Sequence, residues 1–173
     1  MKTDIPQTVY LKDYTPPAFL VDTVDLDFVI ETGSTTVTAT LAVRRNPAVA
    51  AQPLVLDGDE LETLSVAVDG QKWPFSETPT QLTLSDLPGA FTLTTEVRIQ
   101  PDSNTRLSGL YRSKDGYFTQ CEAQGFRRIT WFLDRPDVMS TYTVTLHADK
   151  EKLPVLLANG NPVAAGDEAD GGH

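Results

Sequence analysis

Apolar and polar residues alternate along this chain in short runs, and turn residues separate the runs. Leu26, Phe28 and Ile30 alternate with Asp25, Asp27 and Glu31, and after Gly33-Ser34 the residues Val37, Ala39, Leu41 and Val43 alternate with Thr36, Thr38 and Thr40. A period of two places successive side chains on opposite faces of a strand, so these runs predict a hairpin turning at Gly33. The pattern recurs at Leu54–Leu56 before Asp57-Gly58, at Leu64, Val66 and Val68 before Asp69-Gly70, and at Leu82 and Leu84 before Leu87-Pro88-Gly89. Gln71 to Trp73 reads as a return across the Asp69-Gly70 turn, and Phe91, Leu93, Val97 and Ile99 share a face. Leu107–Arg112 and Tyr117–Cys121 flank Asp115-Gly116, Tyr142, Val144 and Leu146 alternate with threonines, and Val155–Ala158 precedes Asn159-Gly160.

Many short strands joined by Asp-Gly and Asn-Gly turns predict an all-β chain, an antiparallel sandwich of saddle-like twisted sheets with very little helix. No stretch holds a 3.6-residue period over three turns. One helical turn is expected at Pro136–Ser140, with Asp134 as its cap. Met1 to Pro17 reads as an extended lead-in, since Thr15-Pro16-Pro17 disfavours helix. The small, polar end from Gly166 to His173 is expected to fray.

The 173 residues fit a single domain. The formal net charge is −10, with 14 Lys and Arg against 24 Asp and Glu. That balance argues against nucleic acid as a partner, because phosphate binding needs clustered cations. No apolar run approaches the ~18 residues that span a bilayer, so no membrane partner is expected. The first residues contain no apolar leader core, and the single cysteine, Cys121, suits a reducing compartment. These features predict a cytoplasmic protein.

Catalytic motifs are missing from the sequence. Its two histidines, His147 and His173, do not form an H-E-x-x-H pair, and neither a phosphate loop nor a G-x-S-x-G elbow occurs. Both histidines read as structural or incidental. Cys121 has no histidine near it in sequence and reads as a small packed side chain rather than a nucleophile. Glu122 stands apart. Gln120 and Glu122 are two residues apart, so on an extended chain they share a side. Two acceptors there could hold an ammonium group through a charge-assisted hydrogen bond, a chemistry suited to a free peptide N-terminus. Equally, Glu122 could pair with Arg127 or Arg128 on a sheet surface, and the residues alone leave both readings open.

The run Thr119-Gln120-Cys121-Glu122-Ala123, followed by Gly125-Phe126-Arg127-Arg128 and then Asp134-Arg135-Pro136, resembles the amine-recognition segment of the zinc aminopeptidase N family, its bacterial branch in particular. Tyr14 with Pro16 and Pro17 resembles that family's entry segment, and Leu156 to Val163 resembles the turn near the end of its first domain. The resemblance implies that Glu122 is one of the acidic residues holding the substrate α-amine, with Gln120 helping from the same side. Arg127 or Arg128 would pair with Asp134 or Asp137 as architecture. The family's G-x-M-E-N motif and zinc ligands are not in this sequence. The implied picture is a single β-rich N-terminal domain, residues 1–173, cut before its last strand, with the catalytic domain further along the same polypeptide. Zinc would belong to the full-length enzyme and not to this fragment, which alone would be inactive. The implied partners are a peptide N-terminus and that catalytic domain. Two expectations attach to the end of the chain: Val155–Ala158 forms a poorly paired or exposed edge strand, and the missing hairpin partner lies beyond it. The alternative is a free-standing, non-catalytic β-sandwich that binds a protein or glycan through Trp73, Trp131 and Tyr117.

Overall fold

A computed structural model describes residues 10–173. The expected lead-in therefore lies partly outside the described residues; within them, Leu11–Asp13 forms one 3₁₀ turn. Eleven strands follow among the described residues: β1 (Phe19–Glu31), β2 (Ser34–Arg45), β3 (Leu54–Asp57), β4 (Glu62–Val68), β5 (Gln71–Lys72), β6 (Ser76–Glu77), β7 (Gln81–Leu84), β8 (Ala90–Ile99), β9 (Gly109–Ser113), β10 (Gly116–Gln120) and β11 (Thr141–Ala148). They build a six-stranded sheet in the order β11-β1-β2-β8-β4-β5, a three-stranded sheet β3-β7-β6 and a two-stranded ribbon β10-β9. Among the described residues, helix is confined to 3₁₀ turns.

The threonine-rich alternation explains the large sheet. Rows of apolar residues run across it: Phe28, Val37 and Val97; Leu26, Ala39 and Val66; Val24, Leu41, Leu93 and Val68. All are buried, and the second row also contains the buried Thr95, whose hydroxyl pairs with that of Thr130 at 3.3 Å, whereas Thr36, Thr38, Thr40, Thr92 and Thr94 face away. Leu54, Leu56, Leu82 and Leu84 of the small sheet join the same core cluster, so the two sheets share one interior. Burial of each such side chain stabilises the fold by about 1.5–3 kcal/mol.

The structure departs from the sequence pattern in five places. Among the described residues all strand pairings are antiparallel except β1 with β11, which run parallel from Thr23 beside Thr141 to Ile30 beside Ala148. Side-chain alternation is the same in both geometries and carries no sign of strand direction. A register shift between Thr63 and Ser65 turns Leu64 outward, where it is exposed, rather than onto the face of Val66 and Val68. Pro136–Ser140 is not helical; the 3₁₀ turn of this region is Phe126–Arg128. There, Asp137 is held by Arg135 and by the Tyr14 hydroxyl, and the Ser140 hydroxyl donates to the Val21 carbonyl at 2.7 Å, which draws the chain straight toward β11. Val155–Ala158 forms no strand, and its Val155 and Leu157 side chains are exposed. Finally, the chain end is paired rather than frayed: His173 and Ala148 exchange backbone hydrogen bonds of 3.0 and 3.1 Å.

Candidate amine-binding site

β10 delivers the site. It ends at Gln120, and the chain turns at Cys121–Gly125 before the Phe126–Arg128 turn. The Gly125 N–H donates to the Cys121 carbonyl at 2.7 Å and closes the turn. A Cβ at position 125 would lie 2.5 Å from the Gln120 carbonyl oxygen and 2.8 Å from the Cys121 Cα, so only glycine lets the two arms approach so closely. The Glu122–Ala123 peptide bond is cis.

Gln120 and Glu122 are both exposed, and the Gln120 side-chain amide donates to Glu122 Oε2. The two groups the sequence placed on one side are therefore in direct contact. Glu122 borders a cleft of about 320 Å³ with Cys121, Ala123, Asp134, Arg135 and Tyr142. Beneath it, Phe126 and Phe132 meet edge to face at 4.9 Å, and Tyr142 lies 6.0 Å from Phe126. This aromatic floor is set by burial of Phe132. Burial pushes the Tyr142 hydroxyl above its ordinary range, helped by the charge of Asp134 and by Cys121. The Cys121 thiol is pushed up to about 11, first by burial and then by Glu122 and Asp134. A thiol held so high is not a nucleophile at neutral pH.

The arginines do not engage Glu122. Arg127 Nε donates to Asp134 Oδ2 at 2.9 Å, and the Arg127 backbone N–H reaches the same oxygen at 3.2 Å. Asp137 pairs with Arg135 instead. Arg128 is buried and bridges Asp59 and Glu60, each at 2.5 Å. Asp59 and Glu60 were not singled out by the sequence; they lie in the turn after β3, and only the fold brings them to Arg128. The segment is anchored further by a backbone exchange between Asp57 and Phe132, at 2.8 and 3.1 Å, and by the Trp131 indole N–H donating to Thr63 Oγ1 at 2.8 Å. Burial holds the Asp57 carboxyl above its ordinary range against the opposing pull of Arg127.

The aromatic residues of the alternative reading serve the interior or local bonds. Trp131 is buried, the partly buried Trp73 donates from its indole to the Ser85 carbonyl at 3.1 Å, and the Tyr117 hydroxyl donates to Asp102 at 2.7 Å. His147 lies between Asp27 and Glu168 on the outer face of β11. Among the described residues, no three His, Cys, Asp or Glu side chains gather where they could hold a metal ion. None of the described helices is long and apolar enough to cross a membrane.

The chain thus presents an all-β domain that carries an exposed carboxylate–amide pair on a braced turn. Residues 20–173 match the Peptidase M1 N-terminal domain, and the chain belongs to that family. It is 49% identical to aminopeptidase N of Caulobacter vibrioides over 176 residues, covering 100% of this chain and 20% of that protein. It is 44% identical to aminopeptidase N of Escherichia coli over 172 residues, covering 99% of this chain and 20% of that one. The crystal structure of Legionella pneumophila aminopeptidase A in complex with aspartic acid superposes with a TM-score of 0.88 at 29% identity, over 94% of this chain and 20% of that one. The chain therefore spans about a fifth of the length of these relatives.

Proposed function

We propose that this domain supplies part of the substrate anchor of a cytoplasmic zinc aminopeptidase, with Glu122 and Gln120 holding the α-amine of the peptide. The observation that carries this reading is that Glu122 is exposed, contacts Gln120, and is left free by both neighbouring arginines, which are paired with Asp134, Asp59 and Glu60. An incoming ammonium group would find a carboxylate already oriented by the Gln120 amide N–H, on a turn fixed by Gly125 and Trp131. The amine contributes the positive charge that the pair lacks, and fixing it sets how far the first peptide bond extends from the domain. The full-length enzyme would release N-terminal residues from peptides. The zinc that polarises the peptide bond would sit on a catalytic domain elsewhere in the polypeptide, against which this domain packs.

The test is Glu122→Gln in the full-length protein, assayed on amino-acid amides. Loss of one charge-assisted hydrogen bond is worth about 1.5–3 kcal/mol, a fall of roughly 10- to 100-fold in kcat/KM. Unchanged kcat/KM for the variant would remove Glu122 from the anchor.

A further inference from the structure

Four asparagines occur in the chain, and the fold treats one of them differently from the rest. An asparagine side chain can react with its own backbone: the amide nitrogen of the following residue attacks the side-chain carbonyl carbon and closes a cyclic imide. The reaction needs a backbone N–H on the following residue, a side chain free to turn toward it, and a backbone that is not locked. Asn46 and Asn161 fail the first condition, because Pro47 and Pro162 follow them and proline has no N–H. Asn104 fails the second. Its side-chain amide donates to the Ser108 and Leu110 carbonyls, each at 2.8 Å, and its Oδ1 accepts from the Arg106 N–H at 3.1 Å.

Asn159 meets all three. Gly160 follows it, both residues are exposed, and the chain from Pro154 to Gly166 forms neither strand nor helix. Among the described residues the Asn159 side chain has no hydrogen bond of the kind that holds Asn46 and Asn104, and the Gly160 N–H has no backbone acceptor. Gly160 sits at φ +91°, and a Cβ there would meet nothing within 4 Å. The nitrogen is therefore open to solvent base, and no side chain crowds its approach to Asn159.

We propose that Asn159 is a site of spontaneous covalent modification, converted through a cyclic imide with Gly160 to isoaspartate and aspartate. Solvent base removes the Gly160 amide proton, and the nitrogen bonds to Cγ of Asn159. The Cγ–Nδ2 bond breaks, and Nδ2 takes a proton from water and leaves as ammonia. One water then opens the ring. Attack at Cγ restores the ordinary backbone and gives aspartate, while attack at the backbone carbonyl carbon leaves Gly160 joined through Cγ and gives isoaspartate. The net change is gain of water and loss of ammonia, with no oxidant or cofactor. Either product places a new carboxylate at the rim of a groove of about 910 Å³ that Asn159 and Gly160 border together with Phe118, Val155 and Leu157. The isoaspartate form also lengthens the backbone there by one methylene. The inference is independent of any role of Glu122.

Peptide mapping by mass spectrometry tests it on the full-length protein, aged under native conditions at mildly alkaline pH beside a sample unfolded in urea. In the native sample the peptide holding Asn159 exchanges NH₂ for OH at a rate within a few-fold of the unfolded one. It also becomes a methyl acceptor for a protein isoaspartate carboxyl methyltransferase, while Asn104 converts only in urea. Asn159→Gln loses the mass change and the methyl acceptance, and Gly160→Ala slows both several-fold. An Asn159 that stays intact in the native protein after the urea sample has converted overturns the proposal, since the fold would then be protecting it. So does conversion of Asn104 in the native protein as fast as Asn159, because the pinned and the free side chain would then not differ.

Discussion

Replacing Gly58 by alanine should strain the brace behind the amine-binding turn through a single contact. A Cβ on Gly58 would lie 2.1 Å from Cζ3, 2.4 Å from Cε3 and 2.6 Å from Cη2 of the Trp131 ring. Carbon atoms pack best at about 3.5–4.0 Å, so the methyl group would overlap the ring by well over 1 Å. The ring cannot swing away, because Trp131 is only 1% exposed and its N–H is held by Thr63. Overpacking of this kind costs about 1–3 kcal/mol, and a contact so short belongs at the upper end. For a chain of this size that is a fall of roughly 6–12 °C in Tm. Trp131→Leu removes the six-membered ring and the bond to Thr63 and should itself cost about 2–4 kcal/mol. In that background there is little left for the new methyl to strike. Gly58→Ala should then cost less than about 1 kcal/mol, which gives a coupling of about 2 kcal/mol between the two sites. Urea unfolding of the wild type, both single variants and the double variant measures it. If the two costs add to within ~0.5 kcal/mol, the contact is not the cause and the argument fails.

Three further outcomes follow from the same geometry. Asp134→Asn removes the charge that receives both the Arg127 backbone N–H and its Nε, and it should cost about 1–3 kcal/mol in urea unfolding; an unchanged midpoint would show that this pair is not part of the brace. The hydrogen bond to Glu168 raises the His147 pKa against the effect of burial, and Asp27 adds to the rise. A raised histidine contributes stability that is fully present below its unfolded value of about 6.5 and is lost as pH climbs through the folded value. His147→Gln should therefore destabilise the chain more at about pH 5.5 than at about pH 8.5, and the opposite order would contradict the assignment. Because the Cys121 thiol is pushed from 9.0 to about 11, its thiolate fraction at about pH 8 should be roughly 100-fold below that of an unperturbed thiol. Iodoacetamide should label it correspondingly slowly in the folded chain, and labelling at the rate of free cysteine would show the thiol to be unburied.

Much of the sheet was legible because period-two patterning and burial are the same physical fact seen twice. The β1–β2 hairpin, β3, β7, β8 and β11 fall where apolar residues alternate between Gly-containing turns. What the pattern could not carry was direction and pairing. β11 lies beside β1, some 120 residues away along the ladder, and nothing in Thr141–Ala148 announces a parallel neighbour. Val155–Ala158 shows the opposite failure. Its residues have strand-like composition, but among the described residues they find no backbone partner, and composition alone does not make a strand without one.

The site divides along the same line between local and distant information. Gln120 and Glu122 could be placed together because two residues of extended chain fix their relation. Gly125 and Asp134 were in view because they share a short segment with them. The choice between a free carboxylate and one neutralised by Arg127 or Arg128 was not local, since it turned on where those arginines go. Arg128 is drawn away by Asp59 and Glu60, nearly 70 residues earlier in the chain, and Arg127 by Asp134 with Asp57 beyond it at 3.6 Å. Arg128 is satisfied by the turn that also packs Gly58 against Trp131, and Arg127 by Asp134 with help from Asp57 at the edge of that turn. These pairings are thus what leave Glu122, among the described residues, with the Gln120 amide as its side-chain partner. A substitution at Asp59 or Glu60 that frees Arg128 would therefore be expected to cost stability without filling the Glu122 site, because Arg128 is buried and its Nε is already held by the Ser108 carbonyl at 3.0 Å.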